Sequence, residues 1–334
     1  MKPAKIAING FGRIGRSFFR AVFGMPEFEV LAINDLTDAW TLGYLLKFDS
    51  VYGRFGRMVN STEKAIVVDD QEIPVLAEKD PAKLPWGKLG VDIVVESTGL
   101  FTDGAKAHLE AGAKRVVITA PATGDVTTAL VGVNDDRFQN PGPLTCNASC
   151  TTNSVAPVLQ ILLESLGIRK AGMTTVHGYT ATQKLVDGPD ARDPRRGRAA
   201  AVNIVPSTTG AAEAVVQAIP ELKGKFEAVA IRVPTITGSL SIVTALLGKP
   251  ADAKSINELF SASARDHRWA KVLKVTDLPI VSTDIIGEPY GAIVDLSFTK
   301  VVDGDLVKVF SWYDNEAGYS ATLIEHVRRI AAVL

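Results

Sequence analysis

Short apolar runs alternate with helical patterns through the first half of the chain. "KIAING" (5–10) and "FEVLAIND" (28–35) read as strands, and "GRSFFRAVFG" (15–24) between them as a helix. "KAIVVDD", "VDIVVEST" (91–98) and "RVVITAP" (115–121) add strands, with a helix through "AKAHLEAG". Strands that alternate with helices predict a parallel sheet covered by helices on both faces. The second half changes character. "GMTTVHGY", "FEAVAIRVP", "SLSIVTALL", "YGAIVDLSF" and "LVKVFSWYD" are longer, β-rich and partly alternating, and the helices among them are fewer, at about 154–166, 210–218 and 252–265. That pattern predicts a mostly antiparallel sheet with helices on one face, an α+β arrangement. The stretch 183–203 has weak periodicity and several breakers, and loops of that length are usually functional or contact another subunit. "AGYSATLIEHVRRIAAVL" closes the chain as an amphipathic helix. The expected division is a dinucleotide-binding domain over 1–149, a catalytic domain over 150–315, and a terminal helix, 316–334, packing back on the first.

With 334 residues, two domains are the default; 46% apolar and 22% charged residues are a soluble globular composition. The formal net charge of −1, with no block of Lys or Arg, leaves no electrostatic footprint for nucleic acid. The N-terminus enters a strand almost at once and no apolar stretch approaches membrane-spanning length, so a cytoplasmic protein is expected. Two cysteines and four scattered histidines (His108, His177, His267, His326) lack metal-ligand spacing, and so few cysteines suit a reducing compartment. The two cysteines lie four apart, a spacing that suits one helical face.

"INGFGRIG" places Gly10, Gly12 and Gly15 in the spacing G-x-G-x-x-G, after a strand and before a helix, and the next strand ends in Asp35. The first glycine permits the tight turn, the second lets backbone approach a pyrophosphate, and the third allows close helix–strand packing. The bland alternative is a tight βα turn without ligand; the acid in register argues against it. A carboxylate at Asp35 accepts from ribose hydroxyls and repels a 2′-phosphate, and no basic residue follows in "NDLTDAW", so NAD is favoured over NADP.

"NASCTTN" (147–153) crowds Cys150 with hydrogen-bonding side chains immediately before an apolar run. A helix from about Asn153, with Pro157 in its first turn, would turn its dipole and free N–H groups toward the sulfur and lower the thiol pKa. Ser149 and Thr151 could donate to an anion held beside it. His177 ends the next strand and could return to Cys150 as a base. His108 and His326 read as surface residues, and Cys146 as structural. Thr180 and Thr182, then Thr208, Thr209 and Gly210 before another helix, offer an anion cradle. Arg232 at the end of an apolar strand is costly to bury without an anion, which is either a ligand or a salt bridge inside the fold.

"INGFGRIGR", "NASCTTN", "TTVHGYTATQ", "RRGRAA", "TTGAA", "RVPT" and "WYDNE", in that order, resemble phosphorylating glyceraldehyde-3-phosphate dehydrogenases from end to end. The resemblance implies a nucleophile at Cys150, a base at His177, a pocket for the substrate phosphate at Thr180, Thr182 and Arg232, and one for inorganic phosphate at Ser149, Thr151, Thr209 and Gly210. Arg198, the last Arg of "RRGR", matches a further phosphate contact. Phe11, Arg13, Ile14, Lys79, Thr119 and Asn315 match NAD contacts, with Asn315 orienting the nicotinamide amide. A homotetramer is also implied, in which the 183–203 loop reaches a neighbouring subunit's cofactor. Two departures stand out: Lys79 where many members carry Arg, and Ala317 where Trp is usual. The nearest alternative is erythrose-4-phosphate dehydrogenase, in which "HGYTATQ", "TTGAA" and the acid at Asp35 are altered; all three are intact here. Leu36 and Pro189 resemble the NAD-restricted branch rather than the photosynthetic NADP-using one. A non-catalytic binding protein would not need Cys150 and His177 together, and a cysteine hydrolase would not need the dinucleotide turn.

Overall fold

The computed structural model describes residues 2–191 and 193–334, which fall into two compact units. The first comprises residues up to Ala129, Asp135–Ala148 and Leu323–Leu334; the second comprises Leu130–Asn134 and Ser149–Thr322.

In the first unit β1 (Ala4–Asn9), α1 (Arg13–Val22), β2 (Phe28–Asn34) and α2 (Ala39–Lys47) are followed by a small meander, β3 (Val59–Ser61), β4 (Ala65–Val68) and β5 (Gln71–Leu76). Then come α3 (Trp86–Leu89), β6 (Ile93–Glu96), α4 (Ala107–Glu110), β7 (Arg115–Ile118), β8 (Thr127–Thr128) and β9 (Leu144–Cys146). The sheet runs β3-β4-β5-β2-β1-β6-β7-β9-β8 and is parallel except in the meander. β1, β6 and β7 are almost wholly buried (Ile6, Ile8, Val94, Val95, Val116, Val117), which explains their unbroken apolar runs. β1 lies between β2 and β6, so the chain leaves it in one direction and later returns on its other side. Such a switch point opens a crevice at the carboxyl ends of the strands, where open α/β sheets bind ligands. Gly10, Asp35, Thr98 and Thr119 lie just beyond the ends of β1, β2, β6 and β7.

The second unit holds α5 (Cys150–Leu166), β10 (Ile168–Gly178), β11 (Val205–Ser207), α6 (Ala211–Ala218), β12 (Phe226–Val233), β13 (Ser239–Leu247), α7 (Ala253–Ser263), β14 (Leu273–Thr276), β15 (Ala292–Val302), β16 (Leu306–Tyr313) and the start of α8 (Ala317–Ala331). Its sheet runs β11-β12-β10-β13-β16-β15-β14, with β10·β12 and β14·β15 parallel and the remaining pairs antiparallel. A Rossmann-type α/β unit and a mostly antiparallel α+β unit are thus both present. The division falls inside α8, whose residues from Leu323 onward cluster with the first unit, whereas sequence reasoning assigned everything after 315 to it.

Three local expectations are corrected. α5 begins at Cys150 itself, three residues before the expected start, because Ser149 caps it: Ser149 Oγ accepts the Thr152 N–H at 3.1 Å. Pro157 therefore lies inside the helix rather than in its first turn. Cys146 is on a strand and Cys150 on a helix, so the spacing of four does not mark one helical face; both are free thiols. His108 and His326 are fully buried, not on the surface. His108 Nδ1 accepts from Trp86 Nε1 at 3.0 Å, and its Nε2 faces Glu96 at 3.0 Å. His326 Nδ1 donates to the Ala129 carbonyl at 3.0 Å, and its Nε2 meets Thr145 Oγ1 at 2.8 Å.

Candidate active site

The dinucleotide turn is shaped by contacts that only glycine permits. Gly10 has φ +90°, and a Cβ there would stand 2.6 Å from Thr98 N; a Cβ on Gly15 would stand 2.2 Å from the Gly10 carbonyl oxygen. A Cβ on Gly12 would meet nothing within 4 Å, so that position is left open for a ligand. Asp35 is built into the same turn: one carboxylate oxygen accepts the Phe11 N–H at 2.8 Å and the other the Thr37 N–H at 3.0 Å. The Phe11 ring is sealed against Phe19 with centroids 5.6 Å apart, so its contribution to a cofactor is its backbone. Arg13 forms an ion pair with Asp49 and lies over the Tyr52 ring, Ile14 is half-buried, Lys79 is exposed, and the Thr119 N–H donates to Glu96 O at 2.9 Å.

Beneath these loops lies a buried polar network that sequence reasoning missed. Asn34 Nδ2 donates to Asn9 Oδ1 at 2.7 Å and Asn9 Nδ2 to Glu96 Oε2 at 2.5 Å, while Glu96 Oε1 takes the Thr98 N–H at 2.8 Å. Asn9, Asn34 and Glu96, the last residues of β1, β2 and β6, are therefore tied together.

In the second unit α5 and β10 bring Cys150 and His177 together. Sixteen helical steps of ~1.5 Å and nine strand steps of ~3.3 Å cover similar lengths, so the strand returns His177 to the start of the helix. His177 Nε2 is 3.5 Å from Cys150 Sγ. β12 pairs with β10 so that Arg232 stands directly beside His177 in register. Arg232 Nη1 is 2.6 Å from His177 Nδ1 and 3.2 Å from the Gly178 oxygen, and among the described residues no carboxylate pairs with it. Burial, reinforced by the Arg232 charge, pushes the His177 imidazole down to about 3, so it is neutral at pH 7. Burial also raises the Cys150 thiol, against the pull of Arg232 and of the backbone N–H groups at the helix start. Sequence reasoning had the direction of the helix and cation effects but not the desolvation of the thiol at half-buried Cys150, which outweighs them.

Several candidate anion ligands are placed differently from expectation. The Thr151 hydroxyl is buried on Tyr313 OH at 3.0 Å, and Tyr313 OH also meets Thr175 Oγ1 at 2.7 Å; this tyrosine pins α5 to two strands and was not anticipated. Thr180 and Thr182 hydroxyls are 3.0 Å apart, and Thr182 Oγ1 accepts from Arg196 Nη2 at 2.9 Å. Arg198, expected as the phosphate contact, is exposed and donates to Asp187 at 2.9 Å. Arg196 is half-buried, whereas Arg195 and Arg198 are exposed, and it is close enough to Arg232 for their charges to repel. Sequence alone cannot say which arginine of "RRGR" turns inward, because the turn at Pro194–Gly197 sets that rotation. Thr209 Oγ1 accepts the Ala211 N–H at 3.2 Å, and Gly210 opens α6. Asn315 Oδ1 accepts from Thr237 Oγ1, Gly238 N and Ser239 Oγ at 3.2, 3.1 and 3.0 Å. Three donors fix which end of that amide is oxygen, so its NH2 is the end free of these three contacts.

Comparison with known proteins accords with this geometry. Residues 4–104 match the model of the glyceraldehyde 3-phosphate dehydrogenase NAD-binding domain, and residues 149–315 match that of its C-terminal domain. The chain belongs to the glyceraldehyde 3-phosphate dehydrogenase family. A glyceraldehyde-3-phosphate dehydrogenase of Thermotoga maritima is 52% identical over 326 residues, covering 96% of this chain and 97% of that one. One from Mycobacterium avium is 50% identical over 339 residues, covering 99% of each, and one from Mycolicibacterium smegmatis is 48% identical over 340 residues, again covering 99% of each. The protein is thus an NAD-dependent dehydrogenase. Among the described residues no helix is long and apolar enough to cross a membrane.

Proposed function

We propose that the chain oxidises D-glyceraldehyde 3-phosphate and captures the product with inorganic phosphate to give 1,3-bisphosphoglycerate, with the site residues in the following roles. The Cys150 sulfur attacks the aldehyde carbon while its proton passes to the carbonyl oxygen by way of His177, leaving a thiohemiacetal. His177 Nε2 then takes the hydroxyl proton as the hydride departs, and a thioester remains on Cys150. NAD, when bound, accepts that hydride. Inorganic phosphate attacks the thioester carbon, the Cys150 sulfur leaves, and the acyl phosphate is released. Sulfur suits both halves, as a strong nucleophile and a good leaving group.

The Gly10–Gly15 turn and Asp35 hold the dinucleotide, with Phe11, Arg13, Ile14, Lys79 and Thr119 around it; the Asn315 NH2 donates to the nicotinamide carboxamide. Arg232 with Thr180 and Thr182 meets the substrate phosphate. Ser149, Thr209, Gly210 and Arg196, in place of Arg198, meet the attacking phosphate. The observation that carries the reading is the approach of His177 Nε2 to Cys150 Sγ, 3.5 Å, beside a guanidinium with no carboxylate partner among the described residues. Chains of this kind are expected to assemble as homotetramers. The segment 183–203 supports that: Leu185 and Val186 are 80% and 73% exposed, an apolar pair that a neighbouring subunit would cover.

The test is a rapid-mixing experiment. Enzyme, NAD and aldehyde without phosphate should give one NADH per chain and then stall; phosphate or arsenate should restart turnover, and Cys150→Ser should abolish the burst. Turnover indifferent to both anions would refute the phosphorolysis step.

A further inference from the structure

Asn9, Asn34 and Glu96 belong to one hydrogen-bond chain whose direction is fixed at both ends. The Trp86 indole can only donate, and its Nε1 lies 3.0 Å from His108 Nδ1, so that nitrogen carries the lone pair and Nε2 the hydrogen. His108 Nε2 then donates to Glu96 Oε2 at 3.0 Å. At the other end the Glu78 N–H donates to Asn34 Oδ1 at 2.9 Å, which turns Asn34 Nδ2 toward the Glu78 oxygen at 3.0 Å and Asn9 Oδ1 at 2.7 Å. Asn9 Nδ2 is left to donate to the same Glu96 Oε2, at 2.5 Å. It lies 3.3 Å from His108 Nε2, two donors converging on one oxygen rather than bonded to each other. Glu96 Oε1 takes the Thr98 N–H at 2.8 Å and the Thr98 hydroxyl at 2.5 Å. Glu96 thus meets four donors and no acceptor, a demand that a carboxylate satisfies and an amide cannot.

The last backbone rungs beside this chain are Gly10 N to Asn34 O at 2.8 Å and Ser97 N to Asn9 O at 2.7 Å. Past them the segments leave the sheet and side chains replace the ladder: Asn34 holds both backbone groups of Glu78, and Glu96 holds the Thr98 N–H. A Cβ on Gly10 would stand 2.6 Å from Thr98 N, so a shift of Thr98 is felt at once in the glycine turn. We propose that Glu96 is a positioning residue of the dinucleotide site: its carboxylate fixes the Gly10 turn, Asp35, Thr98 and the Glu78–Lys79 segment relative to one another before NAD arrives, so that none of the cofactor's binding free energy goes into ordering them. This rests on the assignment above of the glycine turn and Asp35 to NAD, and adds what sets their spacing. Asn9, Glu96 and His108 are each 1% exposed or less, so Glu96 acts through the segments it holds, and water does not replace a lost partner.

The test is a reciprocal exchange of amide and carboxylate. Glu96→Gln sets an NH2 against donors whichever way the amide turns, and Asn9→Asp sets two carboxylates face to face. In the double variant the new amide accepts from Thr98 and donates to the new carboxylate, which takes Asn34 Nδ2 and His108 Nε2, so every pair is restored. By titration calorimetry each single variant should bind NAD about tenfold or more weakly, and the double variant within about threefold of the wild type. The KM for NAD should follow the Kd, while kcat at saturating NAD changes by less than about threefold. Single variants that melt lower yet bind NAD as the wild type does would mark a merely structural role and overturn the proposal. A double variant no better than the singles, in folding or in affinity, overturns it too. If the singles do not fold, Thr98→Val, which deletes one donor to Glu96 at a half-buried position, takes their place and should weaken NAD about threefold; unchanged affinity is again fatal. Gly12→Ala separates the two claims: if it weakens NAD and Glu96→Gln does not, the cofactor site stands without the positioning role, whereas normal binding by both removes site and role together.

Discussion

At the level of single residues, the proposed catalytic pair depends on partners far away in sequence. Arg232 stands beside His177 because two parallel strands pair in one register, and Tyr313 anchors Thr151 from the far end of the chain. The arginines of the 183–203 loop give a direct test. Arg196→Ala should raise the KM for inorganic phosphate by about tenfold or more, because a charged donor to an anion is lost. Arg198→Ala, which breaks only an exposed pair with Asp187, should change stability by no more than about 0.5 kcal/mol and leave that KM within about twofold. Steady-state kinetics with phosphate as the varied substrate checks both, and the reverse ranking would restore Arg198 to the site. The sequence could offer the arginines of "RRGR" as candidates for an anion; only the turn that carries them decides which one is half-buried.

The elements were legible where periodicity is strong and less so at their ends. β1, α1 and β2 follow the expected order because burial on both sheet faces demands apolar runs and the glycines demand a turn. The start of α5 was misplaced because Cys150, Thr151 and Thr152 are poor guides to a helix, and their place in it is set by the Ser149 cap. The turn itself separates folding from binding. Gly12→Ala should leave stability within about 0.5 kcal/mol of wild type, since its Cβ meets nothing within 4 Å, yet weaken NAD at least about tenfold by blocking backbone approach to the pyrophosphate. Gly15→Ala puts a Cβ 2.2 Å from a carbonyl oxygen and should cost about 1–3 kcal/mol of stability. Thermal melts with and without NAD distinguish the two; a Gly12→Ala protein that binds NAD normally would show that the turn does not approach the phosphates.

For the whole molecule, two buried histidines set the response to acid. His177 and His326 are held at about 3, in each case first by burial and then by a nearby arginine, against an ordinary value of 6.5. Their folded values are depressed, so the unfolded chain binds more protons between about pH 3 and 6.5, and stability falls as pH drops through that window, by up to ~2.7 kcal/mol per pH unit for the two together. Carboxylates with lowered values, such as Asp49 and Glu164, contribute only as pH approaches their ordinary 3.8 and 4.5, so above about pH 5 the slope belongs to the histidines. Urea denaturation between pH 5 and 6.5 should show that slope, and His326→Gln should roughly halve it; an unchanged slope would contradict the assignment. Assembly offers a second test: Leu185→Asp with Val186→Asp should shift sedimentation from tetramer to smaller species, and a monomeric wild type would remove the proposed assembly. The sequence by itself determined the glycine turn, NAD as cofactor and the family, and singled out Cys150 as the candidate nucleophile, because each lies in a contiguous motif whose chemistry needs those residue types at that spacing. Tertiary structure alone decided that Arg196 rather than Arg198 is half-buried near Arg232, what stands beside His177 and that His108 and His326 are core residues, because strand register, caps and burial arise from contacts between segments that no local pattern encodes.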